Sequence, residues 1–169
     1  KEHSLQLEQL AWLQGNWVDE GDDAVVHFSC EPIDNGNFLM RSFRIEIAGQ
    51  EGMTGTQRIG WDPLTGKLRA WIFDSSGSFG DGVWYRVSDE EFTSDVDSEI
   101  PESETAVAGN AEGAGEAEVN GELPANNERW VLRVNGVLAD GKTASSTSIY
   151  TRVDDHTMTW QSVDHEIAG

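Results

Sequence analysis

The sequence predicts an all-β protein, an antiparallel up-and-down barrel of about eight to ten strands preceded by a short N-terminal helix. Three observations lead there. From Trp17 onward, short runs rich in β-branched and aromatic residues follow one another, and each run ends in turn-forming residues. Of the seven tryptophans, Trp17, Trp61, Trp71, Trp84, Trp130 and Trp160 fall one to a run. The links are compact enough for hairpins, so each strand is expected beside its sequence neighbour. At 169 residues, one domain spanning 1–169 is expected.

In chain order, Ser4 to Gln14 sets Leu5, Leu7, Leu10, Ala11 and Leu13 at mostly helical spacing, with Ser4 as N-cap and Gly15 as the stop. This predicts a short helix running into Trp17. Strands are predicted over Gly15–Asp19, Ala24–Glu31, Asn37–Ala48, Met53–Asp62, Lys67–Asp74, Gly80–Ser88, Glu128–Val137, Thr143–Val153 and Thr157–His165. The clusters Asp34-Asn35-Gly36, Ala48-Gly49-Gln50, Asp62 to Gly66, Ala139-Asp140-Gly141 and Asp154-Asp155-His156 supply the turns.

The interval 88–128 differs in kind. Its charged residues are all Asp or Glu, and Ala, Gly, Ser and Asn fill most of the rest. Such a segment has too little apolar surface to offset the entropy of ordering it, so a disordered acidic insertion between two paired strands is expected. Loop-closure entropy grows only logarithmically, so a hairpin tolerates the insert. A calcium loop is not indicated, because the Asp-x-Asp-x-Asp-Gly spacing is missing.

A net charge of -20 repels phosphate backbones and anionic headgroups, so neither nucleic acid nor a membrane surface is an expected partner. No stretch approaches the roughly 20 apolar residues needed for a membrane-spanning helix, and membrane insertion is not expected. The chain opens at Lys1 rather than Met, which suggests processing or excision, with export if a signal peptide was removed; localisation is left open. Cys30, the single cysteine, lies on a strand face with Val26 and Phe28 and reads as a small core residue.

In a barrel, side chains alternate between lumen and exterior, so large residues on the strands either plug the interior or wall a ligand cavity. Several strands are also polar on both faces, notably around Arg41, Arg44, Gln57, Arg58, Arg69 and Thr143 to Tyr150. Aromatic walls with a few orienting polar groups are the composition of a small-molecule pocket. Most strand arginines, Arg41, Arg44, Arg58, Arg69, Arg86, Arg129, Arg133 and Arg152, are expected in cross-strand pairs with Asp or Glu on the outer face. One or two pointing inward would suit an anionic ligand. Asp74, at a strand end before Ser75-Ser76-Gly77, suits acid/base chemistry on a rigid rim but is explained more economically as a turn cap. Gly77 to Gly82 lacks the Lys of a phosphate loop.

The stretch Leu13-Gln14-Gly15-Asn16-Trp17 resembles the Leu-x-Gly-x-Trp entrance of lipocalins, and the predicted fold is accordingly lipocalin-like. With Asn37 to Phe43, Gly55 to Pro63, Trp71 to Trp84, Gly136 to Tyr150 and Thr157 to Asp164, the chain resembles an uncharacterised bacterial, planctomycete-type, lipocalin-like domain that often follows a SnoaL-like domain. That resemblance implies an upstream SnoaL-like partner domain and a shorter loop in place of the acidic insert. It implies no catalytic residues. Some lipocalin-like barrels hold haem through one axial His, but His3, His27, His156 and His165 show no metal-ligand spacing, so no metal and no cofactor is expected.

The leading expectation is a non-enzymatic barrel that takes a small, partly apolar ligand in its lumen. Trp61, Trp71, Trp84 and Tyr150 are the expected walls, and Arg41, Gln57 and Gln161 the orienting groups. A structural or interaction module accompanying a SnoaL-like domain is the alternative, followed by a haem-binding or enzymatic barrel.

Overall fold

The computed structural model describes residues 2–88, 104–108 and 128–168. Nine long strands curl into an antiparallel sheet: β1 (Gly15–Glu20), β2 (Ala24–Ile33), β3 (Phe38–Ile47), β4 (Gln50–Asp62), β5 (Lys67–Asp74), β6 (Phe79–Val87), β8 (Glu128–Val137), β9 (Thr143–Arg152) and β10 (Thr157–Ala168). A short strand, β7 (Glu104–Ala108), closes the barrel in the order β1-β2-β3-β4-β5-β6-β8-β9-β10-β7. The expected neighbours are adjacent from β1 to β6 and from β8 to β10, and β6 pairs with β8 across the insertion.

The strict up-and-down order fails at β7. This strand sits between β10 and β1, pairing Val107 with both Val18 and Thr157. Composition alone argued against order throughout 88–128, yet Thr105-Ala106-Val107-Ala108 is a short uncharged run. The edges of β1 and β10 present backbone donors and acceptors for such a run to satisfy, and that gain outweighs weak intrinsic preference. The remainder of the expected disordered insertion lies outside the described residues.

The N-terminal helix is shorter than predicted. An α-helix, α1 (Glu2–Leu7), passes directly into a 3₁₀ turn over Glu8–Leu13, so Ser4 lies inside the helix and does not cap it. Gln14 then turns extended, and Gly15, at φ 115°, admits the backbone to β1. The indole N–H of Trp17 donates to the Leu13 carbonyl at 3.0 Å, tying turn to strand.

Leu7, Leu10 and Leu13 thereby cap one end of the barrel. They join Trp17, Cys30, Leu39, Ile59, Leu68, Ala70, Trp84, Trp130, Leu132, Tyr150 and Met158 in one buried cluster. Cys30 is a core residue, as its neighbours in sequence suggested, and burial pushes its thiol up to about 11 despite the nearby Arg41 charge. The opposite end, bounded by the β3–β4, β5–β6 and β8–β9 turns, carries no such cap among the described residues. No described helix is long and apolar enough to cross a membrane.

The cross-strand pairing expected of the arginines is seen at Arg69 and Arg152, while Arg44 pairs along its own strand and Arg58 with a turn. Arg69 reaches Asp81 at 2.6 Å and Asp62 at 3.6 Å, Arg44 meets Glu46 at 3.2 Å, Arg58 lies 3.8 Å from Asp34, and Arg152 bridges Glu128 and Asp155. Phe43 lies over Gly55 and Phe38 over Gly60, where an added Cβ would meet ring carbons at 2.2 and 2.5 Å. Only glycine lets these rings lie flat on the strand.

Candidate functional site

Strand alternation decides which side chains share the lumen. On β6, β8 and β9, the registers Gly80↔Gly136↔Ala144, Gly82↔Val134↔Ser146 and Trp84↔Leu132↔Ser148, followed by Trp130↔Tyr150, stack inward-facing residues in layers. The layers grade from Trp, Leu and Tyr at the capped end to Gly, Ala and Ser at the open one. One end of the barrel is therefore packed and the other hollow, so the plug and the pocket each hold for part of the interior.

The hollow part is a cavity of about 420 Å³. Phe28, Phe43, Ile45, Ile72, Leu132 and Val134 contribute apolar wall, and Ser146, Ser148, Gln57 and Arg41 contribute polar groups. Its size falls within the roughly 300–1,000 Å³ span of small-molecule sites.

Arg41 is the central feature. Held on β3 opposite Cys30 and Gln57, it is 5% exposed, and its guanidinium carbon lies 5.2 Å from the Tyr150 ring centroid, 5.4 Å from Phe28 and 5.8 Å from Trp84. Three aromatic faces around one cation replace part of its lost hydration. Arg41 Nη1 donates to Gln57 Oε1 at 3.4 Å, and the same oxygen accepts from the Trp84 indole N–H at 3.2 Å. Arg41 Nη2 is buried and has no hydrogen-bond partner among the described residues. No described carboxylate lies within ion-pairing distance of it, in a chain with 31 acidic residues.

Asp19 is the other buried charged side chain among the described residues. On β1 it faces inward with Trp17 and accepts from the Trp160 indole N–H at 3.3 Å. Burial raises its pKa, and the indole hydrogen bond opposes part of that rise.

At the rim, β10 carries a bulge between Ser162 and Asp164. The extra residue shifts the alternation so that His165, opposite Ser146, lines the cavity in place of Asp164. Asp74 also borders the opening but is engaged by its own turn: its carboxylate accepts from the Ser76 and Ser78 backbone N–H groups at 2.9 and 3.3 Å and from the Ser76 hydroxyl. The turn-cap reading of Asp74 is the observed one.

Of the expected site residues, Arg41, Gln57 and Tyr150 line the cavity together. Trp84 lies beneath it, 4.9 Å from Tyr150 between ring centroids. Trp61 packs against the core cluster and does not border the cavity. Trp71 is not a wall. It shares the outer face of β5 with Arg69, whose guanidinium lies 5.9 Å from its ring, and it pairs across strands with Arg58 and Asp81. Gln161 also points outward, between inward-facing Trp160 and Ser162. Phe28, Trp160, Ser146, Ser148 and His165 belong to the site without having been expected there. Continuing the alternation from Cys30 to Phe28, and from Tyr150 to Ser148 and Ser146, finds three of these five; Trp160 needs its register opposite Tyr150, and the bulge conceals His165.

Among the described residues no group of three or more His, Cys, Asp or Glu is placed to hold a metal ion. A scan against protein-family models finds no match to this chain, and a search of the curated proteins finds none.

Proposed function

We propose that this domain is a lipocalin-like binding barrel that takes a small, partly apolar ligand in the open half of its lumen. The observation that carries the reading is the 420 Å³ cavity, in which apolar walls surround a few convergent polar groups. The Leu13 to Trp17 entrance, tied down by the Trp17 indole, supports the likeness to lipocalins. Binding is favoured over catalysis because Asp74, the carboxylate at the rim, is committed to its turn, and the buried Cys30 thiol is held far from the thiolate form.

Tryptophan fluorescence tests this. Trp160 lines the cavity and Trp84 lies under it, so a bound ligand changes the emission of one or both. Titration with fatty acids, haem and aromatic acids is expected to give a saturable change, lost in Ser146→Phe, where the ring occupies the cavity. A flat response across the panel in the wild type, together with unchanged thermal stability, would remove the proposal.

A further inference from the structure

Resting on the lumenal binding reading, we infer that the ligand is a monoanionic carboxylate whose acid group is held by Arg41 at the floor of the cavity and whose apolar body extends toward the open end. Arg41 cannot relieve its burial by losing a proton, because a guanidinium stays charged at any physiological pH. A buried, unpaired charge is destabilising even after the surroundings relax. Gln57 and the three rings account for one donor and the faces of the group, and they leave Nη2 buried without an acceptor.

The guanidinium fork matches a carboxylate, and one cation balances one negative charge. A doubly charged phosphate would bring excess charge into a site with a single buried guanidinium, so a carboxylate is the better fit. Tyr150 and Ser148, at neighbouring positions of the wall, offer hydroxyls to the second oxygen. The apolar residues further out, Ile45, Ile72, Val134 and Leu138, suit an alkyl or aryl body rather than a second polar end.

The charge of the whole chain adds a signature. A molecule at -20 repels an approaching anion over distances that salt screens, whereas the buried Arg41 contact is screened little. Acid binding is therefore expected to tighten as ionic strength rises from low values, opposite to the behaviour of an exposed ion pair.

The experiment is calorimetric titration of the whole chain with octanoate and 4-phenylbutyrate, beside their neutral counterparts octanol and 4-phenylbutanol. The wild type is expected to prefer each acid to its alcohol by about tenfold or more. In Arg41→Met, which keeps side-chain length without charge, the preference is expected to vanish while the alcohols still bind. Acid and alcohol binding equally well to the wild type would overturn the carboxylate assignment and leave lumenal binding standing. That comparison needs no variant, so it holds even if Arg41→Met fails to fold. Retention of the preference in a folded Arg41→Met would likewise overturn it. Absence of binding by all four compounds, with Ser146→Phe indistinguishable from wild type, would sink the lumenal reading itself.

Discussion

Asp19 and Asp62 show how two carboxylates of one chain respond to pH in opposite senses. Burial raises the Asp19 pKa, so the fold gains from its protonated form; that contribution is complete below the ordinary carboxylate range and fades as pH rises through the raised value. Asp62 is lowered, first by the Thr65 hydroxyl, then by the Leu64 and Thr65 backbone N–H groups and the Arg69 charge, so its contribution is present above the ordinary range and fades on acidification. Asp19→Asn keeps an oxygen for the Trp160 indole and removes the charge. Its melting temperature is expected to exceed the wild type's increasingly as pH rises above the ordinary carboxylate range. Asp62→Asn is expected to lower the melting temperature at pH 7 and to match wild type at the acid end. A pH series of thermal melts on both variants checks the pair, and a matching sign in the two would refute the assignment. At this scale the sequence was informative about side-chain type and less so about facing. Arg41, Gln57 and Tyr150 were legible as lumen-facing residues because polar groups on aromatic-rich strands suggest a lumen. Trp71 misled because an aromatic ring does not choose a face. Leu68, Ala70 and Ile72 form the apolar series of β5, which leaves Trp71 with Lys67 and Arg69 on the wet side.

At the scale of elements, the α1 segment and its 3₁₀ continuation act as a stopper, with Leu10 wholly buried at its centre. Leu10→Ala is expected to destabilise the fold by about 2–5 kcal/mol, the usual range for a buried leucine truncation. Because the stopper and the cavity occupy opposite ends, ligand affinity in the folded variant is expected to stay within about twofold of wild type, as for sites without shared partners. Urea denaturation combined with one titration measures both, and a large affinity loss would show that the two ends are coupled. Strand limits were legible because each run ends in residues that prefer positive φ or an Asx turn. Ala48 and Gly49 adopt φ of 51° and 75°, and Asn35 and Gly36 adopt 60° and 78°. The β10 bulge was not legible, since nothing in Ser162-Val163-Asp164 marks which residue is extra. Regular counting would have sent Asp164 into the mouth of a cavity that ends in a cation, and would have left His165 outside.

For the whole molecule, closure depends on a segment that composition had assigned to a loop. Nine strands suffice to curl the sheet, but β1 and β10 meet only through β7. Val107→Pro removes a backbone donor where the strand bonds to neighbours on either side, and it is expected to cost about 1–3 kcal/mol. Hydrogen exchange read by mass spectrometry is expected to show lost protection in β1 and in residues 157–160 of β10, with the β3–β4–β5 wall unchanged. Uniform loss around the barrel would mean that β7 is not a separable part of the wall. The general shape was legible because hairpin-forming links leave few ways to arrange the strands. The order at the junction was not, because it depends on which stretch of a long insert meets two unsatisfied edges.

That junction gives the barrel a clasp. Four register positions join β7 to β10 and two join it to β1, against ten between β8 and β9. Thermal fluctuation parts a hoop at its narrowest weld, so this short strand is where the ring would spread sideways. A guest too broad for the mouth would then have a second doorway, through the flank.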